Sequence, residues 1–364
     1  MKDRQNIRRV FPCLFAALVV TACAASASEL KPPAPAQQVF LETHPAMGTI
    51  FSIYLYAPSE QAARTLAEAA FDEVDRVDEL LSNYRPSSEL SRINREAAQG
   101  PVVTDRETFS FLATSLDWSA RTGGAFDITV GRLMKAWGFF RASGHVPSEA
   151  ELAETGRQVG WQKVILNPQQ RSVRFNVNGV ELDPGGIGKG YVVDRMVDLL
   201  RAQHVSAALI SAGGSTIYAI GAPPGERGWK VQVPNPEDKQ RPISTVLLRD
   251  TSLSTSACSE KFFVLEGHRY CHIMDPHTLR PIENMVQTTA IHPSATASDA
   301  LSSSLFVLGP EASERLLNDM PQASALLLSG HTHVEHCTSI RWNDSLDGDV
   351  CHHTAAKIPR KEAP

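Results

Sequence analysis

The 364-residue chain has no surplus of positive charge, since 35 Lys and Arg stand against 40 Asp and Glu. An acidic chain lacks the electrostatic footprint of a nucleic-acid binder, which sets that class of partner aside. Internal repeats and low-complexity tracts are absent, so solenoid and propeller architectures are excluded. The common phosphate motifs are missing as well. Ending at Lys189, a P-loop would need Gly where Asp183 stands and Ser or Thr where Gly190 stands. Gly186, Gly188 and Gly190 are spaced GxGxG and not the GxGxxG of a dinucleotide fold. Cysteine is sparse: of six, Cys13 and Cys23 lie near the N-terminus, leaving Cys258, Cys271, Cys337 and Cys351. Four thiols allow three pairings. Closeness in sequence favours Cys258 with Cys271 and Cys337 with Cys351, with free buried thiols as the alternative.

The N-terminus reads as a targeting segment. Lys2, Arg4, Arg8 and Arg9 precede an apolar run, Val10 to Val20, that is too short for a stable bilayer anchor. Residues 1–27 are therefore expected to be an export signal. Val20-Thr21-Ala22-Cys23 has the lipoprotein form, which would leave a lipid anchor at Cys23 as the one membrane contact. Ala25-Ser26-Ala27 fits ordinary cleavage instead, and Arg8-Arg9-Val10-Phe11 partly matches a twin-arginine signal. Either route implies a periplasmic protein in a compartment that permits disulfides. Residues 28–40, with Pro32, Pro33 and Pro35, read as a tether, 41–345 as one domain and 346–364 as a tail.

Glu181 to Arg195, ELDPGGIGKGYVVDR, carries the most chemistry. The strand pattern before it (Val173, Phe175, Val177, Val180, Leu182, turning at Asn178-Gly179) gives way to helical spacing at Val192, Val193, Met196, Val197 and Leu200. Glycines between strand and helix leave free N–H groups at the positive end of the helix dipole. Such a junction is either an anion site or merely a tight connection.

Elsewhere, helices are predicted from Ser59 to Leu81, Ser87 to Asn94, Thr104 to Thr122 and Ala297 to Leu308, the last capped by Ser298. Gly213-Gly214 falls within a predicted strand, where paired glycines mark a bulge or a close approach. Ser252 to Asp275 is expected to form a hairpin turning near Glu266-Gly267, with His272 on its second strand. Asp299 and Ser303, four residues apart on one helical face, supply two oxygens that suit a hard cation such as Mg2+. The late His331, His333, His336 and Cys351-His352-His353 match no common zinc spacing.

In order, these stretches resemble the thiamine biosynthesis lipoprotein (ApbE) family of flavin transferases, from about Thr43 to Trp342. The resemblance rests on Met47-Gly48-Thr49, Leu81-Ser82-Asn83-Tyr84, Ser88 to Asn94, Gly124-Ala125-Phe126-Asp127, Asp183 to Asp194, Gly213-Gly214, Thr255-Ser256, His272 to Pro276 and Ser298 to Leu301. It implies an α+β fold, a single T-fold-related domain of mixed sheets with flanking helices. By the same resemblance, Met47, Tyr84, Ala125, Phe126, Asp127, Asp183, Lys189 and Ile273 would hold FAD. The carbonyl of Gly186 with Asp299 and Ser303 would hold Mg2+, and His272 would be the base.

The implied activity is transfer of FMN from FAD to a Thr or Ser hydroxyl of an acceptor flavoprotein, releasing AMP. Donor and acceptor must share a compartment, so the acceptor would be an exported or membrane electron-transfer subunit, nitrous oxide reduction being one setting. An FAD pyrophosphatase and a non-enzymatic FAD-binding lipoprotein are the rival readings. Several positions depart from the family pattern: Ser303 for Thr, Pro184 for an apolar residue, Ser215 for Asp, Ile128 for Pro and Leu279 for Gly. The last implies that the turn after Asp275 differs.

Overall fold

The computed structural model describes residues 38–140, 143–342, 346, 350 and 351. The export segment with Cys23, and His352-His353, lie outside the described residues. Strands β1 (Gln38–Ala46) and β2 (Thr49–Ala57) form a hairpin, followed by α1 (Glu60–Leu81) and α2 (Glu89–Glu96). After β3 (Val102–Val103) come α3 (Arg106–Arg121), α4 (Gly131–Ala136) and α5 (Glu149–Gln158), then β4 (Val164–Asn167) and β5 (Ser172–Phe175). Helix α6 (Gly188–Ala202) leads into β6 (Ala207–Ala212), β7 (Thr216–Gly221), β8 (Trp229–Val233) and β9 (Ser244–Leu248). The remainder is β10 (Thr251–Ala257), β11 (Phe262–Leu265), β12 (His268–Cys271), β13 (Met274–Asp275), β14 (Arg280–Pro281), β15 (Met285–His292), α7 (Ala295–Asn318), β16 (Ser324–Ser329) and β17 (His336–Ile340).

The fold is α+β, as expected. Its main sheet has eight strands in the order β1-β2-β6-β7-β10-β15-β16-β17, each paired antiparallel with its neighbours. Alternation along β2 sends Phe51, Ile53 and Leu55 into the core beneath α1, α6 and α7. The opposite face of the sheet is covered by the β8–β9 pair, whose Trp229, Val231 and Val246 pack on Leu253 and Ile291. Helix α1 turns Ala63, Ala67, Ala70, Val74 and Val77 inward at helical spacing, and its start is capped by Ser59, whose hydroxyl accepts the Ala62 N–H. Both favoured disulfides form, Cys258–Cys271 and Cys337–Cys351.

Several expectations are corrected. Gly213 and Gly214 are not inside a strand. Both have positive φ, 62° and 74°, and they form the tight turn that reverses β6 into β7. Ser252 to Ala257 is not half of the hairpin. As β10 it lies between β7 and β15, and the hairpin proper is β11–β12, turning at Glu266-Gly267, with His272 just past its end. The cap of α7 is Ser294 rather than Ser298, which is buried one turn inside. Leu279 takes the left-handed conformation that glycine adopts freely, φ 62°, so this residue accepts backbone strain in the turn after Asp275. At the domain margins, β1 starts at Gln38, Val350 is buried and the Leu346 N–H donates to the Thr245 carbonyl at 2.7 Å.

Candidate functional site

The two motifs Asp183–Asp194 and Ser298–Leu301 meet where the N-terminal ends of α6 and α7 cross. Asp194 accepts the N–H groups of Ala295 and Thr296 and both their neighbouring hydroxyls, Ser294 Oγ and Thr296 Oγ1, at 2.6–2.9 Å. A carboxylate on α6 thus caps α7 and fixes the register between them. Gly190 permits the approach, because a Cβ there would stand 2.2 Å from the Ala295 carbonyl oxygen and 2.7 Å from Asp299 Cβ. Its N–H donates to Asp299 Oδ2 at 2.9 Å, where a regular first turn would return it to the Gly186 carbonyl. That carbonyl accepts no hydrogen bond among the described residues. A Cβ at Gly186 would lie 3.3 Å from Ser303 Oγ, so the carbonyl-bearing turn abuts the hydroxyl directly. Asp299 and Ser303 are indeed on one face of α7, and Ser303 Oγ lies 3.3 Å from Ser256 Oγ.

These oxygens fit a hard cation: one carboxylate with Oδ1 free of hydrogen bonds, one hydroxyl and one unshared carbonyl. The set is too small for an all-protein cage, which suits Mg2+, an ion that keeps waters and takes ligands from substrate phosphates. Among the described residues no group of three or more His, Cys, Asp or Glu forms a metal site.

Above the junction opens a cleft of about 1310 Å³, lined by Met47, Tyr84, Asp183, Lys189, Glu260 and Lys261 among others. That exceeds the roughly 300–1,000 Å³ of an ordinary small-ligand pocket and is on the scale of a dinucleotide. Met47 enters from the β1–β2 turn with φ 50°, and Tyr84 stacks on Phe140 with ring centroids 4.5 Å apart. Asp183 is almost fully buried; burial raises its pKa, opposed by the Gly185 N–H and the Asn83 side chain. Lys189 and Lys261 form no close ion pair among the described residues, so two cations border the cleft with Glu260 as the nearby acid. The Lys189 N–H is the first-turn donor of α6 left without a partner, since those of Gly188 and Gly190 are taken by Pro184 and Asp299. The bare anion-site reading of this helix start therefore narrows to one amide and one ammonium.

His272 stands beside this wall. Its N–H and its Nδ1 both face the Lys261 carbonyl, at 3.1 and 2.9 Å. A carbonyl only accepts, so Nδ1 carries the proton and Nε2 is left with a lone pair. Burial above all, joined by the Lys261 and Lys189 charges, pushes the His272 pKa down to about 4, against the hydrogen bond to the Lys261 carbonyl, which raises it. The imidazole is neutral at physiological pH and can accept a proton.

The remaining predicted residues lie apart from the cleft lining. Ala125, Phe126 and Asp127 are buried in the turn after α3, and of these the Phe126 ring reaches the junction, 3.3 Å from where a Cβ at Gly186 would stand. Asp127 accepts Thr129 N–H and Oγ1 at 2.8 and 2.6 Å and the Trp161 N–H at 2.8 Å, so its carboxylate folds the loop. Burial raises its pKa against those bonds. The loop in turn holds the Asp183 strand, because the Ile128 carbonyl accepts the Asp183 N–H at 2.7 Å. Ile273 is half-buried against the main core, its carbonyl accepting the Ile282 N–H at 3.0 Å.

Sequence reading missed three contributors. Asn94 clamps Leu182 through both backbone groups, donating to its carbonyl at 3.0 Å and accepting its N–H at 2.8 Å, which positions Asp183 from 88 residues away. Glu260 and Lys261 face the cleft; burial raises the Glu260 pKa, with Lys189 lowering it and Asp299 raising it. The run Glu260-Lys261-Phe262-Phe263, separated by three residues from Thr255-Ser256, was the available signal for the last two.

A sequence profile described as the ApbE family matches residues 47–327. The FAD:protein FMN transferase of Treponema pallidum is 33% identical over 300 residues, spanning 78% of this chain and 82% of that protein. Among solved structures, the ApbE protein of Thermotoga maritima superposes with a TM-score of 0.76 at 30% identity, covering 84% of this chain and 97% of the other. The apo flavinyl transferase ApbE of Pseudomonas stutzeri gives 0.75 at 27% identity, covering 84% and 96%.

Proposed function

The chain belongs to the ApbE family, an enzyme family of flavin transferases, and from that premise we propose that it moves FMN from FAD to a Thr or Ser hydroxyl of an acceptor flavoprotein, releasing AMP. The observation that carries the reading is the α6–α7 junction, where an unpaired ammonium, a free amide and three cation-seeking oxygens converge under one cleft. FAD would lie along that cleft with its pyrophosphate at Lys189 and Asp183 near the ring or ribose hydroxyls. Gly186, Asp299 and Ser303 would hold Mg2+, which when bound supplies charge neutralisation on the phosphoryl oxygens. Lys189 Nζ and its N–H add positive potential where the leaving phosphate develops charge.

His272 Nε2 would accept the proton of the acceptor hydroxyl as it attacks the FMN phosphorus. A pKa near 4 makes the free imidazole a weak base; an anionic pyrophosphate arriving nearby raises it toward the working pH. The oxygen of the acceptor then bears the FMN, and no side chain of this protein is modified. The acceptor shares the compartment of the enzyme, which we take to be the periplasm, reached by the N-terminal signal and with Cys23 as an optional lipid anchor; an exported or membrane electron-transfer subunit fits.

The test is incubation with FAD, Mg2+ and candidate acceptor domains, followed by denaturing electrophoresis under flavin fluorescence and quantification of AMP. A fluorescent acceptor band with stoichiometric AMP is the expected result. FMN and AMP without a labelled acceptor would mean that water is the nucleophile, and intact FAD across all acceptors would mean a binding protein.

A further inference from the structure

The wall that carries His272 is the hairpin β11–β12, which joins no larger sheet. An isolated two-stranded hairpin is marginal in water, so its position must be held by other contacts. At its open end Phe262 pairs with Cys271, the residue before His272. Cys258 sits at the end of β10, and its N–H donates to the Val286 carbonyl of β15 at 3.3 Å. The bond between Cys258 and Cys271, with Cα atoms 5.1 Å apart, thus moors the end of β12, immediately before His272, to the middle of the eight-stranded sheet. Cys271 is 3% exposed, so the mooring point is packed rather than dangling. Arg269 adds one further tie, donating to the Cys258 carbonyl at 2.8 Å.

Resting on the transferase reading above, we propose that the Cys258–Cys271 disulfide is a positioning device for the base: it fixes His272 against the α6–α7 junction, and the oxidised chain is the competent form. The other ties are the Arg269 bond, the contact of His268 Nε2 with Glu283 at 3.0 Å, one carbonyl shared by two His272 donors and the packing of Phe263 and Tyr270 on Trp137 and Phe139. Reduction by a dithiol cleaves the Sγ–Sγ bond with two electrons and two protons, leaving two thiols and the cyclic disulfide of the reductant. The charged groups facing His272 are Lys261 on its own segment and Lys189 on α6; both disfavour the imidazolium, as burial does. A loosened hairpin lets water in and moves the imidazole away from both.

Cys258→Ser/Cys271→Ser is compared with Cys337→Ser/Cys351→Ser as the matched control. Single-turnover cleavage of FAD should fall at least about tenfold in the first pair while the FAD Kd stays within about twofold, since small misplacements of a reacting group weigh on rate. The control pair should match the parent. The His272 imidazole, followed by NMR titration, should move up from about 4 in the parent toward its ordinary value near about 6.5 in the first pair. Should the first pair fail to fold, the parent is reduced by dithiothreitol and reoxidised, and the loss and its recovery are read in the same assays. The proposal is overturned by an unchanged rate with an unchanged titration, by rate and affinity falling in proportion, or by an equal loss in the control pair. If the oxidised parent cleaves no FAD at all, the transferase reading fails instead, and the titration, which needs no turnover, still decides the role of the disulfide.

Discussion

Gly190→Ala is the most discriminating single change in this protein, because two opposing effects meet at one atom. In an ordinary helix interior, Gly to Ala stabilises by about 0.5–1 kcal/mol through backbone entropy. Here the added Cβ would stand 2.2 Å from the Ala295 oxygen and 2.7 Å from Asp299 Cβ. Carbon contacts are comfortable at about 3.5–4.0 Å, so the start of α7 must retreat by about 1 Å. Overpacking of that kind costs about 1–3 kcal/mol, which set against the helical gain leaves a net loss of up to about 2.5 kcal/mol. The same retreat stretches the Gly190 N–H to Asp299 hydrogen bond, now 2.9 Å, and carries Asp299 and Ser303 away from the Gly186 carbonyl. A displacement of about 1 Å at a reacting centre costs on the order of 100-fold in rate. Differential scanning calorimetry and single-turnover AMP release in saturating FAD and Mg2+ would measure both. Gly100→Ala, where a Cβ meets nothing within 4 Å, is the control and should be near neutral. A Gly190→Ala protein that melts at or above the parent temperature and releases AMP at the parent rate would falsify the claim that the α6–α7 approach places Asp299.

Asp299→Ala should abolish AMP release, by about 100-fold or more, while the melting temperature changes little because one hydrogen bond of about 1 kcal/mol is lost; full activity in Mg2+ buffer would sink the metal assignment. His272→Ala should lower the transfer rate by about 10²–10⁴-fold with FAD affinity nearly unchanged, and equal losses in both would make it a binding residue. In the parent, the depressed His272 pKa keeps the free enzyme active as pH falls below 6, with kcat/KM lost only as pH passes down through about 4; an acid limb centred at an ordinary histidine value would contradict the burial of His272. Leu279→Gly should relieve about 1–2 kcal/mol of left-handed strain yet lose the side chain packed against α5 at Gly156, for a net denaturation midpoint at or below the parent. A clear rise in the midpoint would show that the strain outweighs the packing.

What was legible in the sequence was what local periodicity and composition encode. The spacing of Asp299 and Ser303 placed two oxygens on one helical face, and the cap of α1 at Ser59 was readable because a hydroxyl three residues before its N–H partner is a local relation. The bonds that make the site are not local. Asp194 caps a helix 100 residues later, Gly190 meets Asp299 109 residues later, and Asn94 grips Leu182 88 residues later. No periodicity joins such pairs; only the resemblance to a family placed their motifs in one molecule. The errors share this cause. Ser298 looked like a cap because it precedes the acid, but the Asp194 carboxylate draws the helix start back to Ser294 and turns Ser298 inward onto Ser252, 2.8 Å away. Ser252, Ser254 and Ser256 in turn were expected in one half of a hairpin, whereas their small hydroxyls bond to Ser298, Thr216 and Ser302 and let α7 lie close over β10. They are buried because each oxygen finds a partner across the interface, and that close packing of helix on sheet sets the depth at which Asp299 meets the turn carrying Gly186 and Lys189.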